Sequence, residues 1–487
     1  MFQTIRFASF LLLALFLSAC GGGGGSGVSN NPPQAHQTLV ASFIASDIKN
    51  MSDADIQDLG TDIKFLHDTA IEALDYHTGT KNPVGQIESI TPAQIAVLTP
   101  TQIRLIGATG PNSTVIGTAQ IAYLSDTTWA ALVSTSTQVS AITAAEIATL
   151  WDKHIVALDT NISFLSDSAL VALDYHTGNN NPLGQIQSIL AAQINVLSSA
   201  QVRLIGATGS GGTVGTAKIA YLNTGAWSAL VSNPQQVGAI TPAEVTTLWD
   251  VQVVAFGANI NSLTNSGLAA LTCLVNLNGT NPVGQIESLT ATEIAALSTS
   301  QVRMIGATGS GGTIGTPKLS CMNLGAWATL ISDPAQVAAI TSQEVATFPD
   351  TFIPALGANI NQLADLTLGS LSIYVNVNGT NPNGQIESLT AAQINALSPT
   401  QIGILAGITS PYGAATAIAY LNAGAFSVLS ALQTPVLTAT NVLGVSATQL
   451  ASLSTAALTA LPSATRSSLT VTQKASLTAP QHIACGC

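Results

Sequence analysis

TPAQIAVL (91–98) and TPTQIRLI (99–106) stand back to back in the chain, and this eight-residue unit decides the fold. Threonine opens each unit as a helix N-cap, and proline follows at the first helical position, where its missing N–H costs nothing. Glutamine or glutamate comes three residues after the cap, so Thr91 with Gln94, Thr241 with Glu244 and Thr341 with Glu344 are expected capping boxes. Ile90 before the cap and Ile95 inside the helix would form the hydrophobic staple. Each unit then reads as a helix of about eight residues and two turns, roughly 10 Å long at 1.5 Å per residue. So short a helix is unstable alone and has to stack on its neighbours. The expectation is a mainly α protein: a solenoid or compact coil of many short capped helices. A period of eight also suits strands, but the apolar positions within the unit sit three apart and not two.

Working outward, the unit returns as TPAEVTTL (241–248), TATEIAAL (290–297) and TAAQINAL (390–397). From Thr438 onward it fills the C-terminal section as TATNVLGV, SATQLASL, STAALTAL, PSATRSSL, TVTQKASL and TAPQHI. A longer period lies over it. Asn-Pro recurs at Asn82, Asn181, Asn281 and Asn381, spaced by 99 to 100 residues, each time inside an NPxGQIxS segment. RLIGATG (104–110) and RLIGATG (203–209) are followed by RMIGATG (303–309), with GILAGIT (403–409) as a degraded fourth copy. Four repeats of about 100 residues are therefore assigned to residues 38–430, and the C-terminal octads with their Cys-Gly-Cys tail to 431–487. LVNLNGTNP (274–282) and YVNVNGTNP (374–382) alternate apolar with polar residues and end in an Asn-Gly turn signal, so a small strand is expected there.

The N-terminus has a different logic. Arg6 is the one charge of a short leading segment, and Phe7–Leu17 is an almost unbroken apolar run, too short for a permanent bilayer span. That pattern reads as a signal peptide over residues 1–19. Leu17-Ser18-Ala19-Cys20 resembles the lipobox of bacterial lipoproteins. The resemblance implies cleavage before Cys20, acylation of that cysteine and stable anchoring, since several acyl chains hold a membrane firmly where one does not. Gly21 after the cysteine resembles lipoproteins sent on to the outer membrane. Residues 20–37 then make a flexible tether, rich in glycine and stiffened by Pro32-Pro33.

Of the 487 residues 47% are hydrophobic and only 7% charged, and mean hydropathy is +0.42. Charged residues make up about 25% of an ordinary soluble domain. A disordered chain would also be poor in apolar residues, so this one folds, with Ser, Thr, Asn, Gln and Gly on its surface. A net charge of −12 argues against nucleic acid and anionic headgroups as partners, because both need a basic face. Besides Cys20 there are Cys273, Cys321, Cys485 and Cys487. In an exported protein these are disulfide candidates, paired by nearness in sequence as Cys273 with Cys321 and Cys485 with Cys487.

Candidate chemistry is sparse. GATGSGG at Gly206–Gly212 and Gly306–Gly312 resembles the Gly-rich turn of extended short-chain dehydrogenases, which implies a dinucleotide pyrophosphate site. No strand precedes it and no P-loop lysine follows, so it reads as a loop between helices and no cofactor is expected. Asp75-Tyr76-His77 and Asp174-Tyr175-His176 are the strongest metal or proton-sharing candidates, with His67 and His154 as residues that could approach in space. Aligned on the Asn-Pro pair, later repeats carry Leu274-Val275-Asn276 and Tyr374-Val375-Asn376 in their place, which favours a structural role. Arg104, Arg203 and Arg303, with Glu88, Glu287 and Glu387, recur once per repeat, as do Asp152, Asp250 and Asp350. They read as internal pairs and caps, or as a binding face if they share one side of the coil. No Ser-His-Asp set and no Asp-x-Asp calcium loop stands out. The expected function is non-enzymatic. A surface lipoprotein of the cell envelope would hold a Thr/Ser/Asn-rich repeat domain for adhesion or scaffolding, with a polysaccharide or protein as partner. The octads resemble the Leu-Thr-x-x-Gln-Ile-type short repeats of bacterial surface proteins. An exported enzyme or metal-dependent binding protein using the Asp-Tyr-His segments is the alternative.

Overall fold

A computed structural model describes residues 32–108, 120–179, 181–206, 218–273, 283–307, 318–373, 384–409 and 415–486. The protein is mainly helical, and the octad explains how. Thr91 is extended (φ −85°, ψ 160°) and its hydroxyl accepts the Gln94 N–H. The Gln94 side chain returns the bond by accepting the Thr91 N–H at 2.8 Å. Helix Pro92–Val97 follows, and Leu98 is extended again (φ −72°, ψ 142°). It stops there because Thr99 precedes a proline, which disfavours the α region, and because its hydroxyl serves the next helix. The unit is thus a helix plus a two-residue extended corner. Helices run from four residues, as in Ala144–Ile147, to nine, as in Pro399–Gly407, so most are shorter than the eight expected.

Helical elements stack on the third one after them, counting the turn at 385–388 as the place a helix fills in the other repeats. Pro92–Val97 packs against Asp126–Leu132, with Pro100–Ala108 and Gln120–Tyr123 between them in the chain. In the C-terminal section Ala439–Val442 packs on Ser463–Ser467, Ala447–Ala451 on Val471–Ala475, and Thr455–Ala460 on Ala479–Cys485. The described elements therefore wind as a three-sided solenoid, three short helices to a turn. Its core holds the fifth and eighth octad residues, such as Ile95 and Leu98 or Ile194 and Leu197, all buried.

The long repeat does not match a whole number of turns. From Asp53–Asp58 up to Asp152–Ala157, and again to Asp250–Val254, there are ten described elements. Ten is one more than three full turns of three. Corresponding residues of successive repeats consequently advance by one side of the prism.

One 3-10 segment per repeat opens with positive φ: Gly60 (51°), Asp159 (46°), Gly257 (51°) and Gly357 (53°). Among the described residues the β-pairing consists of two isolated bridges, Gly178 with Asn181 and Thr409 with Thr416. The strands expected at 274–282 and 374–382 lie outside the described residues, as do the GATGSGG loops beyond Gly206 and Ala307.

Candidate functional site

The recurring glutamine is the residue that ties the turns together. In the Pro92–Val97 octad the side-chain oxygen of Gln94 completes the capping box, which leaves its amide N–H free to donate elsewhere. It donates to the Ile56 carbonyl at 2.6 Å, one turn back. Gln193 does the same to Ile155 at 2.7 Å and Gln393 to Ile353 at 2.6 Å. Gln86, Gln185, Gln285 and Gln385 each reach two carbonyls of the preceding turn, as Gln185 does with Ile147 and Leu150, both at 2.6 Å. Gln473 and Gln481 continue the ladder to the C-terminus. All are buried. Sequence reasoning saw only the cap. The signal was there: a cap is served equally by Glu or Gln, but a buried amide has a second end that must also be satisfied.

The Asp-Tyr-His segments come next. Asp75 Oδ1 lies 2.5 Å from His77 Nδ1, and Asp174 Oδ1 lies 2.6 Å from His176 Nδ1. In each segment the histidine ring stacks on the intervening tyrosine, Tyr76 or Tyr175, with centroids 4.2 Å apart. The tyrosine's other face meets Tyr123 at 4.2 Å in one repeat and Tyr221 at 4.3 Å in the next. Burial, helped by the facing tyrosine, raises the phenol pKa of Tyr123 and Tyr221. The structure brings each carboxylate to its own imidazole. Neither His67 nor His154 joins them, and among the described residues no cluster of three or more His, Cys, Asp or Glu side chains is arranged to hold a metal. His154 is instead buried under Trp129 and Trp151, and that burial, with Lys153 beside it, lowers its pKa to about 4.

The register expected for the later repeats needs correction by two residues. Asp75 N–H donates to the Gln86 side chain and Asp174 N–H to Gln185, each eleven residues on. The residues making that bond in the later copies are Thr272, to Gln285, and Ser372, to Gln385, thirteen residues on. The two extra residues of the later copies fall between these bonded positions, in the stretches that hold Leu274 and Tyr374 and lie outside the described residues. The true counterparts of Tyr76 and Tyr175 are therefore Cys273 and Ile373. Cys273 is disulfide-bonded to Cys321, Cα to Cα 5.9 Å, and Cys321 is the counterpart of Tyr123 and Tyr221. A covalent link stands where two other repeats stack tyrosines. Cys485 is also disulfide-bonded; Cys487, its expected partner, lies outside the described residues, as does Cys20.

The recurring charges separate by role. Asp152, Asp250 and Asp350 are buried, and each accepts a backbone N–H from the Asn-Pro-x-Gly segment: Leu183 (2.9 Å), Val283 (3.0 Å) and Gly384 (3.1 Å). Asp53, overlooked in the sequence, does the same for Val84 at 3.0 Å. Arg104, Arg203 and Arg303 and Glu88, Glu287 and Glu387 are exposed, and the advance of each repeat by one side sets successive copies on different sides of the prism. They do not form a common face. Two buried lysines were also missed. Lys218 donates to the Val171 and Leu173 carbonyls at 2.5 and 2.8 Å, and Lys318 donates to Ala269. Burial lowers both ammonium pKa values, that of Lys318 to about 8. The expected Thr341–Glu344 capping box is only half made. Thr341 still accepts the Glu344 N–H, but the carboxylate accepts the backbone N–H groups of Lys318 and Leu319 at 3.2 and 3.0 Å.

In comparison with known proteins, no family model matches the chain and no curated protein matches it.

Proposed function

We propose that this chain is a lipid-anchored protein of the bacterial cell envelope with a structural or adhesive role and no catalytic one. The observation that carries the non-enzymatic reading is the fate of the recurring polar groups. The buried glutamines, aspartates and lysines are engaged in holding one turn to the next. The exposed recurring residues go round the prism and build no single pocket. A surface of this kind suits repeated weak contacts with an uncharged polymer or a protein, made through Thr, Ser and Asn side chains. The lipid anchor rests on Leu17-Ser18-Ala19-Cys20 and the glycine tether behind it. Attachment through lipid on Cys20 is part of the proposal, with the outer membrane as the proposed destination; among the described residues no helix is long and apolar enough to cross a membrane.

Metabolic labelling with a radiolabelled fatty acid tests the anchor. Label is expected on the full-length chain and absent from Cys20→Ala, which should also leave the membrane fraction. Equal labelling of the two would end the proposal. A second reading follows from the short Asp–His contacts at 2.5 and 2.6 Å, which give two donors to a cation at each of two equivalent positions. Metal analysis of the soluble form decides it. Stoichiometric metal that disappears in His77→Ala/His176→Ala would replace the scaffold reading with a metal-dependent one.

A further inference from the structure

The glutamine ladder is broken at defined rungs by glutamate. Glu146, Glu244 and Glu293 occupy the octad place where the amide otherwise reaches back one turn, and all three are buried. The cleanest comparison is Glu293, whose counterparts in the other repeats are Gln94, Gln193 and Gln393. Those three donate to Ile56, Ile155 and Ile353, and the residue that corresponds to these acceptors is Val253. Glu293 keeps the capping half of the arrangement. One oxygen accepts the Thr290 N–H at 2.7 Å and the Thr290 hydroxyl at 3.1 Å. The other oxygen, where each glutamine carries its donor, is buried with no hydrogen-bond partner. Glu146 and Glu244 also set one oxygen on Thr143 N–H or Thr241 N–H at 2.6 or 2.7 Å and leave the other buried without a partner, but their counterpart in the fourth repeat is Glu344, whose carboxylate accepts backbone N–H groups.

We propose that Glu293 is a proton-operated rung: protonated, it donates to the preceding turn as its glutamine counterparts do, and ionised, it leaves that turn-to-turn bond unmade. A carboxylate can only accept, so it faces a carbonyl it cannot bond, whereas a carboxylic acid has the one O–H the position requires. The solenoid is then held more tightly in mild acid than in mild base.

The surroundings agree. Ala291–Ala296 packs on Gly257–Ser262 and on Leu324–Ser332, and neither carries a charged or titratable side chain. Its chain neighbours offer only Glu287 and Arg303, both exposed. Burial raises the pKa of Glu293 to about 7, against the opposing pull of the Thr290 bonds. A folded-state pKa above that of the unfolded chain means the native state binds more protons between the two values. The stabilisation is complete below the unfolded value, near pH 4.3, and is lost as pH rises through about 7.

The test uses thermal melts of the soluble chain from pH 5 to pH 8, parent against Glu293→Gln. His154, buried neutral, acts in the opposite sense on acidification, so the difference between the two proteins is the readout and not the parent curve alone. The variant is expected to melt about 1–3 °C higher than the parent at pH 8 and to match it at pH 5. Glu344→Gln is the control. Its carboxylate already accepts two backbone N–H groups, so this variant should lose stability at pH 8. Infrared difference spectra supply an independent measure, a protonated-carboxyl band near neutral pH that weakens in Glu293→Gln. A Glu293→Gln variant that melts lower at pH 8, or that tracks the parent with a constant offset at every pH, overturns the proposal.

Discussion

Gly85 is a residue the chain cannot exchange. It sits at φ +97°, and a Cβ built on it would lie 2.5 Å from the Tyr76 carbonyl oxygen. Gly184 repeats the geometry against Tyr175 at 2.4 Å. Both are the glycine of the Asn-Pro-x-Gly segment, which passes directly against the backbone of the stacked tyrosine. Here conformation and space both demand glycine. Asp159 presents the opposite case. It holds φ +46° where Gly60, Gly257 and Gly357 stand in the other repeats, and a Cβ at those three glycines meets nothing within 4 Å. Only the backbone is strained, and aspartate tolerates that region better than most residues. Urea denaturation should therefore separate the two. Gly85→Ala is expected to lose about 1–3 kcal/mol, or more if the Tyr76 segment is displaced. Asp159→Gly is expected to gain, by no more than about 1 kcal/mol. A harmless Gly85→Ala would mean that the turn does not press on Tyr76 as described.

Between elements, one position is filled by different chemistry in different repeats. Tyr76 on Tyr123 and Tyr175 on Tyr221 join consecutive turns by stacking, and Cys273 with Cys321 joins the next pair covalently. If these are alternative solutions to one packing problem, aromatic pairing should partly replace the disulfide. The bond spans 48 residues, and disulfides of such loops contribute about 2–4 kcal/mol. Calorimetry of Cys273→Ser/Cys321→Ser should show a loss of that order. Cys273→Tyr/Cys321→Tyr should recover part of it, since a tyrosine pair is worth about 0.5–1.5 kcal/mol beyond its buried area. A tyrosine pair no better than the serine pair would sink the equivalence. At this scale the sequence was readable where interactions were local. The boxes at Thr91–Gln94 and Thr241–Glu244 involve residues three apart, and they form. Thr341–Glu344 looks the same in sequence, yet the distant backbone of Lys318 and Leu319 takes the carboxylate. Counting back from the Asn-Pro pair misplaced the tyrosine counterparts, because the later repeats carry two extra residues between Thr272 and Gln285, a shift visible only through the hydrogen bonds that flank it.

For the whole molecule, the octad announced helices but not how many make a turn, since that number is set by packing between residues about 23 to 49 apart. The consequence for function was equally hidden. With three sides and ten elements per repeat, a residue repeated in sequence is turned to a new side each time, so recurrence alone could not reveal a face. The ends were legible in retrospect. In inner octads the fifth residue is apolar and buried, as Ile95, Ile194, Leu450 and Leu458 are. In the last three octads it becomes Arg466, Lys474 and His482, one on each side of the final turn and each partly exposed. Apolar side chains at these places would give the last described turn an apolar outer face, and terminal repeats with a polar outer face are what keep such folds soluble. These three residues give the last described turn a polar outer face. Substituting all three by isoleucine restores the inner pattern on this face and makes it apolar. An exposed apolar patch of this kind is an association site. Sedimentation velocity of Arg466→Ile/Lys474→Ile/His482→Ile should show association that grows with concentration, while replacement of the same three by glutamine should sediment as the parent chain does. An isoleucine variant that stays in the parent's association state at every concentration would show that the last turn is closed by something other than these side chains.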